Sequence, residues 1–445
     1  MRIARSLFRH SCEEISNQQY GTGYTIDIEV GTPPQTVTVL VDTGSANLWV
    51  NPTCETSGQQ KYCESFPQFN VDDSSSIADT SFGQLLSYGK GNASVEYVTD
   101  NIGIGFLDSM VSQGFISSRA FSLDLRSVDS PNGSLIFGGV DTGKYTGSLA
   151  KLPIVDPADT PVGAVRYWVN LTSVGLTLPN GTSGLLASGE MPVFLDSGGT
   201  FSRFPNETFF AIGGAFPGAV WNETIGYYLV DCDVADQTGS VDFGFGEDED
   251  GKVISISYKD FIWNPSNQGQ CALGIQIDNE EPVLGDSFLR AAYVVYDQDN
   301  ANLHLAQAED CDENIIPIGS RSDAVPSSTG QCTGPTGTVA SNPLFGTTTA
   351  TLSIPLSTSG SGCGMTSSMG MGSSIMTGIP TETSGPTETE TATGSATEEA
   401  PTATSSETSV TSTSTPVQVN VMARETSNPM AAFALAAAAA AVLLV

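Results

Sequence analysis

The stretch VLVDTGSANLWVNP, from Val39 to Pro52, decides how this chain is interpreted. Three β-forming residues lead directly into Asp42, and a Thr-Gly-Ser turn follows it. A carboxylate at the end of an apolar strand is costly to bury, so its position calls for a chemical reason. The stretch VFLDSGGTFSRFPN, from Val193 to Asn206, repeats this arrangement around Asp196, 154 residues further along. Two copies in matching apolar contexts form an internal repeat, which is a stronger signal than either tripeptide alone.

Each copy is followed by a second apolar segment that ends in glycine. NIGIGF, with Gly103, follows the first copy, and PVLGDSF, with Gly285, follows the second. The repeat therefore extends beyond the two Asp motifs and predicts two related halves.

Composition excludes several classes of function. The chain has 445 residues, enough for two lobes with substantial cores, and a formal net charge of −33 with only 16 Lys and Arg. Nucleic acid is a poor partner for such a chain, because phosphate binding needs a basic surface. The two histidines, His10 and His304, make a Ser-His-Asp triad or a His-rich zinc site a poor explanation. His304 alternates with Leu303 and Leu305, as a structural strand residue would.

Several features predict a secretory route. Eight cysteines occur without a C-x-x-C pair, which argues against zinc ribbons and thioredoxin-like chemistry. Six N-glycosylation sequons are present, at Asn92, Asn132, Asn170, Asn180, Asn206 and Asn222. The first twenty residues contain no apolar core of signal-peptide length, so we expect a start that is truncated in the gene model.

The chain changes character after the β-rich region. Short strand-like runs broken by Gly, Pro, Asn and Asp extend to about residue 310. Residues 311–428 are rich in Ser and Thr and predict a disordered, O-glycosylated stalk. Residues 429–445 end in sixteen apolar residues from Met430, which is typical of a glycosylphosphatidylinositol (GPI) attachment signal, with Asn420 as a candidate attachment residue. A short tail-anchor helix is the alternative.

With these motifs, the sequence resembles the pepsin-like aspartic proteases. The resemblance covers roughly Tyr20 to Ala306 and rests on IEVGTPPQ, VDTGSANLWV, SYGKGN, SLIFGGVD, LDSG and VLGDSFLRAAYVVYD. The stalk and apolar tail narrow it to the fungal GPI-anchored, yapsin-like group. The resemblance implies a mostly β, bilobal fold. It assigns residues 1–19 to an N-terminal segment, either the remnant of a propeptide or a truncated start. Residues 20–150 are assigned to the N-terminal lobe and residues 151–310 to the C-terminal lobe.

The resemblance also implies an activity. Asp42 and Asp196 would meet at the floor of a cleft, share one proton and activate a water that hydrolyses peptide bonds at acidic pH. No metal or cofactor is implied. Protein or peptide substrates are expected, and a monomer at the extracellular side of the plasma membrane or in the cell wall, GPI-anchored or shed.

Further residues receive roles only through the resemblance. Tyr88 and Gly89 correspond to the flap over the substrate, and Trp49 to the tryptophan that supports the flap tyrosine. Thr43 and Ser197 correspond to hydroxyls that lock the two active-site loops, which Gly44, Ser45 and Gly198 complete. Disulfides are expected between Cys54 and Cys63 and between Cys232 and Cys271. Cys12, Cys311, Cys332 and Cys363 receive no partner.

Two positions and the length of one segment depart from the family pattern. Gly199 stands where the family usually has a hydroxyl that bonds the neighbouring Asp, so we expect the dyad to take up its proton at higher pH and Gly199→Thr to move the acidic limb of activity downward. Lys90 replaces a flap Asp that is frequent in fungal relatives. Only 15 residues separate Tyr88 from Gly103, which suggests a mis-spliced gene model.

Two other functions are consistent with these departures. The first is a catalytically impaired pepsin-like protein that binds peptides or wall components at the cell surface. The second is a mucin-like stalk protein with an incidental domain, which both intact Asp motifs disfavour. Pepstatin-sensitive cleavage at acid pH separates the endopeptidase from both.

Overall fold

The structure, a computed structural model, describes most of the first 333 residues and two short segments near the C-terminus. The described residues are 11–45, 48–51, 53–55, 57, 60–88, 91–101, 107–246, 251–264, 270–333, 417–421 and 440–443. All of them belong to one unit, residues 1–363 with 415–445, whereas the second unit, residues 364–414, lies outside the described residues.

Strands dominate the described residues. The strands of the first half are β1 (Ser11–Gln18), β2 (Gly23–Val30), β3 (Gln35–Asp42), β4 (Trp49–Val50), β5 (Ala78–Tyr88), β6 (Gly91–Asp100), β7 (Ala120–Asp124), β8 (Asn132–Phe137), β9 (Gly139–Asp141), β10 (Tyr145–Pro153), β11 (Trp168–Thr177), β12 (Ser183–Leu195) and β13 (Ser202–Phe204). Those that follow are β14 (Val220–Asn222), β15 (Tyr227–Asp231), β16 (Ser240–Phe245), β17 (Lys252–Ser257), β18 (Ile262–Trp263), β19 (Gln270–Leu273), β20 (Ile275–Ile277), β21 (Val283–Leu284), β22 (Ala292–Asp297), β23 (Asn302–Ala308), β24 (Ile315–Pro317), β25 (Val417–Val421) and β26 (Ala440–Leu443).

The helices are short. The α-helices are α1 (Gln60–Cys63), α2 (Leu107–Ser112), α3 (Asn206–Ala215), α4 (Tyr258–Phe261) and α5 (Asp286–Leu289). Single 3₁₀ turns cover Val71–Asp73, Thr142–Lys144, Pro157–Asp159 and Cys232–Asp236. The prediction of a mostly β, pepsin-like bilobal fold is confirmed.

Alternation of apolar and polar residues explains the strand that carries Asp42. In β3, Val37, Val39 and Val41 point into the core, and the intervening residues are less buried. Because side chains alternate between the two faces of a strand, this spacing buries one face. The antiparallel pairing of β2 with β3, which places Ile26 opposite Val39, adds further apolar residues to the same core.

A nine-stranded sheet joins the two halves of the chain. Its order is β10-β23-β22-β7-β8-β1-β2-β3-β26. The central contact, β22 against β7, pairs Val294 with Leu123 across 171 positions of sequence. β22 is buried along its whole length, which explains its continuous apolar run AYVVY. The lobe boundary predicted at residue 150 falls inside β10.

A seven-stranded sheet carries Asp196. Its order is β17-β16-β11-β12-β21-β13-β20, and β12 pairs in parallel with β21, placing Leu195 beside Leu284. Three smaller sheets complete the described fold, with the orders β14-β15-β19-β18, β4-β25-β6-β5 and β24-β9.

The N-terminal segment differs from its prediction. The sequence predicts that residues 1–19 lie outside the lobes, but Ser11–Gln18 forms β1 between β2 and β8. Ile15 is fully buried in the core. One apolar side chain in a polar strand gives little signal in the sequence, although β1 satisfies backbone groups on both neighbouring strands.

The segment after residue 310 also differs from its prediction as stalk. β24 pairs with β9, and Ile318 and Val325 pack in a cluster with Tyr145. A disulfide joins Cys311 to Cys332. Apolar side chains and this cross-link therefore hold residues 311–333 against the sheet, so the stalk prediction is too long at its N-terminal end.

Two segments of the predicted stalk and tail are strands in the structure. β25 pairs with β6 and β4, and β26 pairs in parallel with β3, placing Leu443 beside Asp42. β26 thus stands beside β3 as β21 stands beside β12. Open strand edges present unpaired backbone N–H and C=O groups, and these two segments pair with such groups. Among the described residues, no helix is long and apolar enough to cross a membrane.

Candidate active site

Asp42 and Asp196 lie at equivalent places in the two halves. Asp42 is the last residue of β3, and Asp196 directly follows β12, where its backbone N–H donates to Leu284 O at 3.0 Å. Both residues are buried. The apolar residues before each Asp place it on a central strand, and the Thr-Gly or Ser-Gly turn then ends that strand.

Reciprocal hydrogen bonds join the two loops. Thr43 N donates to Ser197 Oγ at 3.2 Å, and Ser197 N donates to Thr43 Oγ1 at 3.0 Å. Each hydroxyl then donates across to the strand of the other half, Thr43 Oγ1 to Leu195 O and Ser197 Oγ to Val41 O, both at 2.9 Å. Both hydroxyl residues are fully buried, so these four bonds define the relative position of the two loops.

The glycines of the loops show how closely the carboxylates approach. A Cβ atom at Gly44 would lie 2.5 Å from Asp196 Cγ, and one at Gly198 would lie 2.6 Å from Asp42 Cγ. Real Cβ atoms do not approach other atoms so closely, so neither position accepts a side chain unless the opposite carboxylate moves. The two Asp side chains therefore face each other across the pair of glycines.

The two carboxylates receive different hydrogen bonds. Asp42 accepts from Gly44 N at 2.8 Å and from Ser45 Oγ at 2.5 Å. Asp196 accepts from Gly198 N at 2.9 Å, but the third residue after it is Gly199, which has no hydroxyl. The two loops thus share a backbone design and differ in one side-chain donor.

Asp196 is the carboxyl that favours its protonated form. Burial raises its pKa above the usual value, and the neighbouring Asp42 carboxylate raises it further. The Arg203 guanidinium and the Gly198 N–H act in the opposite direction. The charge on Asp42 thus favours placement of a proton on Asp196.

The flap residues lie near the dyad. The hairpin of β5 and β6 ends at Tyr88, whose hydroxyl accepts a hydrogen bond from Trp49 Nε1 at 2.9 Å. Burial, with a further contribution from the Asp42 carboxylate, raises the pKa of Tyr88 to about 12. Tyr88 is therefore protonated at any acidic pH and can donate a hydrogen bond into the cleft. Gly89 and Lys90 lie outside the described residues.

Comparison with known proteins agrees with this geometry. The family described as "Eukaryotic aspartyl protease" matches residues 23–108 and 104–308. The chain belongs to the aspartyl protease family. The two matched stretches overlap at residues 104–108, directly after Gly103.

Three fungal aspartyl proteases illustrate the similarity. "Probable aspartic-type endopeptidase opsB" of Aspergillus oryzae is 30% identical over 74% of this chain and 78% of its own length. "Aspartic proteinase yapsin-3" of Saccharomyces cerevisiae is 31% identical over 66% of this chain and 67% of its own. "Secreted aspartic protease 8" of Candida albicans is 33% identical over 65% of this chain and 76% of its own.

Two arginines of this aspartyl protease reach the active-site loops, and the sequence analysis missed both. Arg203 Nη2 lies 3.8 Å from Asp196 Oδ2. Arg166 Nη1 donates to Gly44 O at 2.5 Å, and its guanidinium also pairs with Glu281 at 3.1 Å. Arg203 stands within the repeated stretch itself, seven residues after Asp196, and could have been noticed there.

Asp286 is a third residue that the motif analysis did not single out, although it belongs to the quoted VLGDSF stretch. It is fully buried, and neither of its carboxyl oxygens has a hydrogen-bond partner. Burial raises its pKa well above the usual value, with Arg290 opposing and the dyad carboxylates contributing. Its backbone N–H donates to Gly199 O at 2.7 Å, which ties it to the second loop. Burial therefore favours the protonated form of Asp286, next to the second active-site loop.

The structure also places the remaining predicted residues. Disulfides join Cys54 to Cys63 and Cys232 to Cys271. Cys12 is disulfide-bonded as well, and Cys363 lies outside the described residues. Of the sequon residues, Asn180 and Asn206 are exposed, and Asn132, Asn170 and Asn222 are partly buried. Asn92 and Asn420 lie on β6 and β25. The described part of the chain contains no group of three or more side chains able to hold a metal ion.

Proposed function

We propose that this chain is an aspartic endopeptidase that hydrolyses peptide bonds at acidic pH with Asp42 and Asp196 as its catalytic residues. The reciprocal hydroxyl bonds between Thr43 and Ser197 carry this proposal, because they bring two buried carboxyls into one site. Membership of the aspartyl protease family supports it.

The asymmetry of the dyad assigns the proton. Asp196, whose pKa is raised by burial and by its neighbour, holds the shared proton and donates it toward the scissile carbonyl oxygen. Asp42, which already accepts two hydrogen bonds, is the ionised partner and takes a proton from the attacking water. When the tetrahedral diol collapses, one of its hydroxyls returns a proton to Asp196 as the C=O bond re-forms, and the proton gained by Asp42 passes to the departing amine. The dyad thus returns to its starting state with one proton on Asp196.

The flap completes the site. Tyr88, held by Trp49, covers the cleft and limits the access of water to the reacting groups. Arg166, which binds Gly44 O, steadies the first loop from the other half of the chain. One chain supplies both carboxyls, so a monomer suffices for catalysis.

The test of this function is cleavage of a denatured protein substrate by the purified chain. We expect cleavage near pH 4 that a stoichiometric excess of pepstatin abolishes and that EDTA leaves unchanged. Binding of pepstatin without cleavage would instead identify the catalytically impaired binding protein. Lack of both would contradict the proposal.

We further propose that the protein acts outside the cell and is held at the cell surface by a GPI anchor. Relatives named as a yapsin and as a secreted aspartic protease support the extracellular location. The polar spacer and the apolar end from Met430 to Val445 support the anchor, with Asn420 as the candidate attachment residue.

A phospholipase specific for phosphatidylinositol should release the anchored protein from membranes with its catalytic halves intact. The matched control is a variant in which several of the terminal apolar residues are replaced by Ser, which we expect to be secreted without an anchor. Mass-spectrometric detection of peptides from residues 430–445 in the mature surface protein would contradict GPI attachment.

A further inference from the structure

The two active-site loops differ at one position that faces a catalytic oxygen. The third residue after Asp42 is Ser45, whose Oγ donates to Asp42 Oδ2. The third residue after Asp196 is Gly199, and a Cβ atom built there would lie 3.2 Å from Asp196 Oδ2. A hydroxyl at position 199 would therefore face Asp196 Oδ2, the oxygen equivalent to the one that Ser45 binds on Asp42 in the first loop. The second loop lacks this donor.

A cation stands at the oxygen that lacks the hydroxyl. Arg203 lies on β13, and its Nη2 is 3.8 Å from Asp196 Oδ2. Its other terminal nitrogen, Nη1, is 3.5 Å from Asp278 Oδ2. Asp278 is itself held by the backbone N–H groups of Glu280 and Glu281, at 3.0 and 2.9 Å. The guanidinium thus spans two carboxylates, one catalytic and one structural.

We propose that Arg203 is a positioning residue for the catalytic dyad, whose guanidinium supplies to Asp196 Oδ2 the stabilisation that a hydroxyl at position 199 would supply. This inference rests on the proposed function of Asp196. It assigns Arg203 no contact with the reacting atoms of the substrate. Its effect is to limit how strongly Asp196 prefers its protonated form.

The surroundings of Asp196 give the sign of the effect. The titratable and charged groups that act on it or feel its charge come from four elements: Asp42 on β3, Arg203 on β13, Asp286 on α5 and Tyr296 on β22. Burial raises the pKa values of Asp286 and Tyr296, which favours the neutral form of each. Arg203 is the cation that lowers the pKa of Asp196, against burial and Asp42, which raise it.

Removal of the guanidinium should therefore raise the pKa of Asp196, so the dyad keeps its shared proton to higher pH. Because loss of that proton governs the alkaline limb of kcat/KM, the alkaline limb should move upward. The sequence alone predicts that a substitution at Gly199 moves the acidic limb of the pH–activity profile, whereas the present inference concerns the alkaline limb. The structure indicates the alkaline limb because Asp196 is the carboxyl whose pKa is raised.

The kinetic test compares kcat/KM against pH for the wild type and four variants on one peptide substrate. Arg203→Gln should move the alkaline limb up by about one pH unit, the lower end of the range for a charge neighbour since the side chain is partly exposed. Gly199→Ser should move it down, and the double variant should return toward the wild type. Arg203→Lys, which keeps the charge but not the planar fork, should fall between wild type and Arg203→Gln.

Arg119→Gln is the matched control. It makes the same chemical change at an exposed ion pair, where Arg119 binds Asp299 at 2.7 Å, and should leave the limb in place. The proposal would be overturned if the alkaline limb of kcat/KM lay at the same pH for Arg203→Gln as for Arg119→Gln. A Gly199→Ser change that fails to lower the limb in the Arg203→Gln background would overturn it as well.

A stability measurement tests the same pair without activity. Melting temperatures of the wild type, Arg203→Gln, Asp196→Asn and the double variant define the coupling between the two residues. Because the pKa of Asp196 is raised, its carboxyl is protonated at acidic pH and carries no charge to couple with Arg203. The coupling should therefore be absent at about pH 4 and present at about pH 7.5. Equal coupling at both pH values would overturn the proposal. If the four proteins show this coupling but the wild type cleaves no protein, the Arg203–Asp196 interaction stands and the proposed catalytic function is refuted.

Discussion

Replacement of Asp42 or Asp196 by Asn is expected to lower kcat/KM for peptide hydrolysis by about 10²–10⁴-fold. Asn can neither take a proton from water nor deliver one to the substrate, so either change removes one half of the proton transfer. The amide oxygen can still accept the hydrogen bonds from Gly44 N or Gly198 N, so the loops should keep their conformation. Steady-state kinetics of the purified variants, with thermal unfolding of each, measures both effects.

The pH dependence of stability provides a control on the same variants. The folded-state pKa of Asp196 is raised above its unfolded value, so the folded state binds the proton more tightly. Its contribution to stability is therefore present at low pH and is lost as pH rises through the raised pKa. Asp196→Asn cannot ionise, so its melting temperature should fall less than that of the wild type over this window. Turnover of either Asn variant within tenfold of the wild type would refute the two-carboxyl mechanism.

Thr43→Val is expected to lower the free energy of unfolding by about 2–5 kcal/mol and to reduce activity as well. The substitution removes the hydroxyl that donates to Leu195 O and accepts from Ser197 N. Both backbone groups are then left without a partner in a site that excludes water, because Thr43 and Ser197 are fully buried. The same hydroxyl also fixes the distance between the two Asp loops, so kcat should fall even where the protein remains folded.

Thr43→Ser is the matched control because it keeps the hydroxyl and removes only a methyl group, at a cost of about 1 kcal/mol. Denaturant unfolding at a fixed acidic pH compares the two variants. We expect Thr43→Ser to retain most of its activity and Thr43→Val to lose most of it. Equal stability and equal activity of the two variants would show that the exchanged hydroxyls do not hold the site together.

The sequence predicted that Asp42 and Asp196 lie together because the information is local and occurs twice. Each Asp follows three apolar residues and precedes a small hydroxyl-glycine turn, so strand, burial and loop can all be read within a few positions. The disulfides from Cys54 to Cys63 and from Cys232 to Cys271 were implied by the same family resemblance.

The sequence did not predict the two arginines, since their roles depend on strand register. Arg203 reaches Asp196 only because β13 lies beside β21 and β20, which places its side chain next to the second loop. Arg166 binds the loop of the opposite half, a contact across 122 positions. The sequence also failed to predict that residues 311–333 are folded, because the average composition of the segment resembles that of the stalk. A few apolar side chains and one disulfide are enough to hold it against the sheet.

The glycines of the two loops also indicate where this active site can change in evolution. Gly44 and Gly198 each face the opposite carboxylate with no space for another atom, so a substitution in one half would have to be answered in the other. Gly199 is different, because a Cβ atom there would lie 3.2 Å from Asp196 Oδ2, a tight contact that a shift of a few tenths of an ångström would relieve. Selection at Gly44 and Gly198 therefore acts on shape and couples the two halves. Position 199 faces only the carboxyl of its own half, so a substitution there changes the proton affinity of Asp196 after a small local adjustment and leaves the opposite loop in place.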